Sequence, residues 1–119
     1  MTRCDIYLGT VLLEANRWAA QRTPTYQVSE WLARFAGAGF DGIELWENHA
    51  TLADARELSA LRNSQLPVAV FNSYATLDEA GTAARAATVR LARDLKVRAV
   101  KFNVGRDTCL LYTSDAADE

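Results

Sequence analysis

The sequence predicts an α/β fold with a parallel sheet, and three observations carry that reading. Short apolar runs of strand length alternate with segments whose apolar residues recur at helical spacing. The runs return roughly every 30 residues, the length of one strand–helix unit. Helix-opening and helix-closing residues lie between them, so each connection crosses over through a helix, which makes neighbouring strands parallel.

Asp5-Ile6-Tyr7-Leu8-Gly9-Thr10 reads as the first strand, with Val11-Leu12-Leu13 a continuation of it. A polar and aromatic loop, Glu14 to Trp18, follows. Thr23-Pro24 is expected to open the first helix, because threonine caps and proline suits the first turn. Val28, Trp31, Leu32 and Phe35 then share one apolar face. Gly37 and Gly39 end it, since glycine accepts a left-handed C-cap. The second strand is Gly42 to Trp46.

Thr51-Leu52-Ala53-Asp54 is expected to cap the second helix, which would bury Leu52, Ala55, Leu58 and Leu61 and break at Asn63-Ser64-Gln65. Pro67 to Asn72 is the third strand, with proline tolerated at its start. Thr76-Leu77-Asp78-Glu79 repeats the capping pattern. The third helix is expected to present Ala80, Ala84, Ala87, Leu91 and Leu95 to the core, with Arg85, Arg90 and Arg93 in solvent. Arg98 to Val104 is the fourth strand, closed by Gly105. Four such units suit either a small doubly wound sheet or half of an eight-stranded barrel, and spacing alone does not choose between them.

Composition narrows the class. At 119 residues the chain suits one domain, and 50% hydrophobic with 24% charged residues describes a globular chain rather than a disordered one. No apolar run reaches the roughly 20 residues of a membrane span, and the N-terminus carries no secretory signal. The arginines form no stripe, which speaks against nucleic acid. Two cysteines make neither a disulfide framework nor a CxxC pair. A cytoplasmic protein with a small-molecule partner is expected.

The last eleven residues, Cys109 to Glu119, break every preceding pattern. They resemble the translated transposase adapter used in preparing sequencing libraries, and such scars stand outside fold reasoning. The expected division is therefore a partial domain over 1–108 and a non-native tail over 109–119. Without Asp115, Asp118 and Glu119, the acids fall from 15 to 12 against 13 Lys plus Arg, and the net charge moves from −2 to +1. The mild acidity thus says nothing about partners.

Ligands of parallel α/β sheets bind beyond the C-terminal strand ends. The loops there carry Glu14, Asn16, Arg17 and Trp18; then Glu47, Asn48 and His49; then Asn72, Ser73 and Tyr74; then Asn103, Arg106 and Asp107. Side chains alternate along strands. If Ile43 and Leu45 face the helices, Glu44 and Trp46 face the other side, where Lys101 and Asn103 join them. A carboxylate and an ammonium there need each other, either as a structural pair or as a reacting one. His49, the single histidine, reads either as a cap or surface residue or as part of a site. Ser73 lacks a nucleophile-elbow motif. No GxGxxG or P-loop is present.

Gly39-Phe40-Asp41-Gly42-Ile43-Glu44-Leu45-Trp46 resembles the second-strand signature of the sugar phosphate isomerase/epimerases, the xylose isomerase-like TIM barrel superfamily. Asn16-Arg17-Trp18, Glu47-Asn48-His49, Phe71-Asn72-Ser73-Tyr74 and Lys101-Phe102-Asn103-Val104-Gly105 are similar to motifs of one branch, in the right order. The resemblance implies the N-terminal half, about four βα units, of a (β/α)8 TIM barrel. It implies a sugar or sugar phosphate substrate and proton transfer next to a carbonyl by a carboxylate pair, with a metal polarising the oxygens; in this chain Glu44 and Lys101 are the catalytic candidates. Trp18, His49, Asn72 and Asn103 would line the substrate side. A divalent metal is implied for the intact parent, its ligands largely on later strands, and none for this chain alone, which is expected to be inactive.

Related apurinic endonucleases carry histidine metal ligands at the ends of the third and fourth strands. Asn72 and Asn103 stand there, which argues against that DNA-repair chemistry. A non-catalytic sugar- or partner-binding barrel module is the other alternative. Open sheet edges imply self-association.

Overall fold

The computed structural model describes residues 3–102. Asn103, the rest of the anticipated fourth strand and the anticipated tail lie outside the described residues. Within them the chain runs β1 (Tyr7–Gly9), a 3₁₀ turn (Thr10–Leu13), a second 3₁₀ turn (Val28–Trp31) leading into α1 (Leu32–Gly37), and β2 (Gly42–Trp46). It continues through α2 (Glu47–Thr51), α3 (Ala55–Arg62), β3 (Val68–Ser73), α4 (Thr82–Asp94) and β4 (Ala99–Phe102). The strands form one parallel sheet in the order β1-β2-β3-β4. The α/β class and the parallel sheet therefore stand as the sequence predicted.

The Phe40-Asp41-Gly42 corner explains how β1 finds β2. Asp41 N donates to Ile6 O at 2.8 Å, and Ile6 N donates to Asp41 Oδ2 at 2.9 Å. Arg3 adds an ion pair to the same carboxylate. Gly39, at φ +99°, makes the left-handed turn out of α1. A Cβ on Gly42 would sit 3.0 Å from Pro67 O and 3.1 Å from the Tyr7 ring, so the position is glycine because Tyr7 lies across it.

The core lies between the sheet and its helices. Ile43, Leu45, Val68 and Phe71 meet Val28, Leu32, Phe35, Leu61 and Leu95, all buried. Each large side chain so buried stabilises the fold by about 1.5–3 kcal/mol. Tyr7, Gly9, Gly42, Glu44, Trp46, Asn72 and Lys101 fall on the opposite face by alternation and register.

Several sequence expectations are corrected. Val11–Leu13 leaves the sheet as a 3₁₀ turn. The first helix opens at Val28 rather than Thr23-Pro24, and Glu57 of α3 caps it by accepting from Ser29 N at 3.0 Å. Glu47-Asn48-His49 is helical rather than a loop. Asp54, not Thr51, caps α3, accepting from Glu57 N at 2.8 Å, and Leu52 is 60% exposed. Asp78, not Thr76, takes Gly81 N at 3.0 Å. In α4 the buried positions are Thr88 and Ala92, whereas Ala80 and Ala84 are exposed. Arg85 is half-buried and donates to the carbonyls of Thr76 and Asp78.

Among the described residues each outer strand has one partner, so β1 and β4 each present an unpaired edge. Such edges template pairing with another chain. Sedimentation velocity is expected to show the average mass of the 119-residue protein rising with concentration. A single monomeric species across the whole range would contradict this.

Candidate functional site

Two arrangements draw on the sheet, one on its strands and one at the C-terminal ends of β1 and β2. The first is on the open face of the sheet. Glu44 projects from the middle of β2 and Lys101 from β4, and Nζ lies 3.6 Å from Oε2. The pair spans β3, whose Val70 and Asn72 pair with Glu44 and Lys101 respectively. The Glu44 side chain is 25% exposed and that of Lys101 50%. At that exposure the pair stabilises the fold little, so its carboxylate and ammonium remain available to a ligand. Asn72 is buried, with Trp46 as its register partner in β2 and Lys101 in β4. Asn103 lies outside the described residues.

The second arrangement surrounds His49 and is closed. The imidazole is held between the end of β1 and the segment that follows it. Its Nδ1 lies 2.9 Å from Thr10 Oγ1, and its Nε2 lies 2.8 Å from Glu14 Oε2. Trp46 N donates to the same Thr10 hydroxyl at 2.9 Å. The donors assign the tautomer. A carboxylate accepts only, so Nε2 carries the proton. Nδ1 then accepts from Thr10 O–H, whose oxygen accepts from Trp46 N–H.

Tyr26 and Trp46 present their rings edgewise to His49, with centroids at 4.9 and 5.0 Å. The Tyr26 hydroxyl donates to Thr10 O at 2.6 Å. Burial pushes the His49 pKa down, and although the hydrogen bond and charge of Glu14 and the charge of Glu57 oppose this, the result is a lowered value. Burial pushes Glu14 up, but hydrogen bonds from Thr25 and His49 outweigh it and hold the carboxyl below its ordinary range.

A carboxylate, an imidazole and a hydroxyl in series have the order of a hydrolase triad, but not its use. Thr10 is 0% exposed and its oxygen is already an acceptor, so no substrate carbonyl reaches it. Ser73 is not an alternative nucleophile. Its Oγ is 3.2 Å from Glu47 Oε1 and 2.9 Å from Thr88 Oγ1, while both His49 nitrogens are engaged elsewhere.

The remaining anticipated residues separate. Trp18 is 86% exposed, at the tip of the loop after β1, and Arg17 lies over its ring at 5.8 Å. His49 is buried behind that loop. A cleft of about 700 Å³ opens beside His49, walled by Tyr26, Val28, Asn48, Leu52 and Glu57. None of Glu44, Asn72 or Lys101 lines it. Two of the cleft's carboxylates, Asp54 and Glu57, serve as helix caps. Thr10, Tyr26 and Trp46 were not singled out as site residues from the sequence. Their roles depend on contacts across 16 to 39 positions, which no local pattern reports.

Among the described residues no three His, Cys, Asp or Glu side chains converge to hold a metal. Glu44 does not fit one either, since its carboxylate faces the Lys101 ammonium and a dication there meets a like charge. Among the described residues no helix is long and apolar enough to cross a membrane. Set against protein-family models, curated proteins and solved structures, the chain matches none.

Proposed function

We propose that these four βα units form the first half of the wall of a (β/α)8 barrel of sugar isomerase/epimerase type, acting on a sugar or sugar phosphate. One observation carries this reading. A carboxylate and an ammonium stand 3.6 Å apart on the face of a parallel 1-2-3-4 sheet opposite its hydrophobic core, the side that a closed barrel turns inward. The resemblance of the Gly39–Trp46 stretch supports it.

In this reading Glu44 removes a proton from the carbon next to a carbonyl. The C–H electrons form a C=C bond as the C=O π pair moves onto oxygen. Lys101 balances the enediolate charge there, and Glu44 returns the proton to the adjacent carbon while the hydroxyl proton shifts between the two oxygens. Epimerisation instead takes its new proton from a second acid on the opposite face, supplied by the rest of the barrel. Asn72 and Asn103 stay the candidates that the resemblance implies for the substrate side, and Trp18 closes over the ring from the loop. His49, with both nitrogens occupied, positions that loop rather than touching substrate. The metal implied by the resemblance finds no donor set among the described residues.

The test compares this chain with a product extended by four further βα units from its parent gene. The extended protein is expected to interconvert aldoses and ketoses, or their epimers, and to exchange the transferred hydrogen with deuterated solvent. Glu44→Gln in it is expected to lower kcat by about 10²–10⁴-fold, while the 119-residue chain turns nothing over. Activity in the short chain as a monomer would sink the proposal, as would inactivity of the extended product on a panel of sugars and sugar phosphates.

A further inference from the structure

The segment between β1 and α1 is a loop with its ends pinched together. Glu14 Oε1 accepts from Thr25 N at 2.7 Å, and Asn16 Nδ2 donates to Thr23 O at 3.1 Å, giving two rungs across the neck. Turns at the tip are closed by Ala19 N to Asn16 O and Arg22 N to Ala19 O. A loop of this length whose ends meet is an Ω loop. It carries Arg17 and Trp18 and reaches over the strand ends. Asn48 Nδ2 of α2 donates to Arg22 O at 2.8 Å, and the Arg22 guanidinium lies 5.1 Å from the centre of the Tyr74 ring beyond β3.

One carboxylate fastens the neck. Glu14 holds Thr25 with one oxygen and His49 with the other, and it is only 3% exposed. We propose that residues 14–25 form a lid latched by the Glu14–His49–Thr10 hydrogen-bond chain, and that a proton on His49 releases it. The latch is closed when His49 is neutral, because each donor then has one acceptor from Trp46 N–H through to Glu14. A second proton goes to Nδ1, which turns an acceptor into a donor facing the Thr10 hydroxyl. That hydroxyl's hydrogen loses its acceptor in a place water does not reach.

The titratable groups facing His49 are Glu14 from the loop neck, Tyr26 from the segment before α1 and Glu57 from α3. Both carboxylates favour the protonated ring. Burial between Tyr26 and Trp46 opposes it more strongly, and the lowered pKa of the closed form reports that balance. An opened lid wets the ring and returns its ordinary affinity for a proton. Acid therefore drives opening, with one proton per event. The device does not depend on the sugar reading, since it needs only the loop and its latch.

The test uses the unmodified 119-residue protein. Because His49 is the single histidine, its ring signals in ¹⁵N and ¹H NMR need no assignment variants. At pH 7.5 the coupling pattern is expected to show the proton on Nε2. On acidification the ring is expected to titrate below the ordinary 6.5, and the Thr25 amide, which reads the Glu14 contact, is expected to shift with the same midpoint. Amide exchange of residues 15–24, corrected for its intrinsic pH dependence, should accelerate by up to about tenfold per pH unit below 6.5, the limit for one linked proton.

In Glu14→Gln a single amide oxygen replaces two carboxylate oxygens, so the side chain cannot accept from both Thr25 N–H and His49 Nε2–H, and one of them faces the NH₂ instead. Loop exchange is expected to be fast at pH 7.5 and to lose its pH step, while β2 and β3 stay protected. A Thr25 amide that stays still through the His49 titration would overturn the proposal. So would a ring titrating at or above 6.5, or loop exchange with no pH step in the unmodified protein.

Discussion

His49→Ala is expected to destabilise the fold by about 4 kcal/mol, most of what a domain of this size has to lose. Two effects add. The variant leaves the Glu14 carboxylate, 3% exposed, with Thr25 alone as a partner, and leaves the Thr10 hydroxyl, 0% exposed, without the imidazole acceptor. Leaving a buried polar group short of a hydrogen-bond partner costs about 1–3 kcal/mol, and more for a carboxylate that keeps its charge. Opening of the loop neck to water would relieve part of that. The ring itself fills the space between Tyr26 and Trp46, and removing it leaves a cavity worth about 1–2 kcal/mol at the usual cost per unit volume. His49→Gln supplies one N–H for Glu14 and is expected to retain roughly half of the loss. Urea unfolding followed by circular dichroism gives both numbers. A loss below about 1 kcal/mol for the alanine variant would mean that the chain of hydrogen bonds is ornamental.

The sheet was legible and the closed site was not, and the difference is one of range. Gly42-Ile43-Glu44-Leu45-Trp46 states its own structure: the alternation assigns two faces, and Gly42 marks the close approach of Tyr7. Strand spacing supplied the parallel order for the same reason, because each unit closes on its neighbour. The caps were legible only to within a residue or two. Thr51 and Asp54, like Thr76 and Asp78, are all competent caps, and the aspartate three residues before the donating amide won both times.

In α4 the small residues misled. Alanine has no strong preference for either side, so an alanine stripe does not mark a buried face, and Thr88 goes inward because Ser73 is there to bond it. Glu47-Asn48-His49 has the composition of a loop. It became a five-residue helix with a buried histidine because Thr10 and Glu14, 39 and 35 positions earlier, complete the imidazole. A helix that short is held by tertiary contacts rather than by propensity.

Stability is expected to fall in two stages on acidification, and the order identifies the groups. His49 is lowered from its ordinary 6.5 in the folded protein. The unfolded chain therefore binds that proton first as pH drops, so the stability it confers is complete above 6.5 and is lost as pH falls toward the folded value. One proton limits the slope to about 1.4 kcal/mol per pH unit. Glu14 is held below its ordinary 4.5 by Thr25 and His49 despite burial. Its contribution is complete above 4.5 and is lost below, where a second proton raises the limiting slope to about 2.7 kcal/mol per pH unit.

Asp78, held low chiefly by the Thr76 hydroxyl, titrates in that lower window too, so only the upper window isolates the latch. Unfolding free energies measured by urea at half-unit steps from pH 7.5 to 4 are expected to bend downward near 6.5 in the native sequence. His49→Gln, starting lower, should run flat until about 4.5, the ordinary carboxyl range. Equal slopes for the two proteins between pH 6.5 and 5 would assign the acid sensitivity elsewhere. The latch would then be a structural contact that does not sense the proton, and the loop over the strand ends would keep one position across the physiological range.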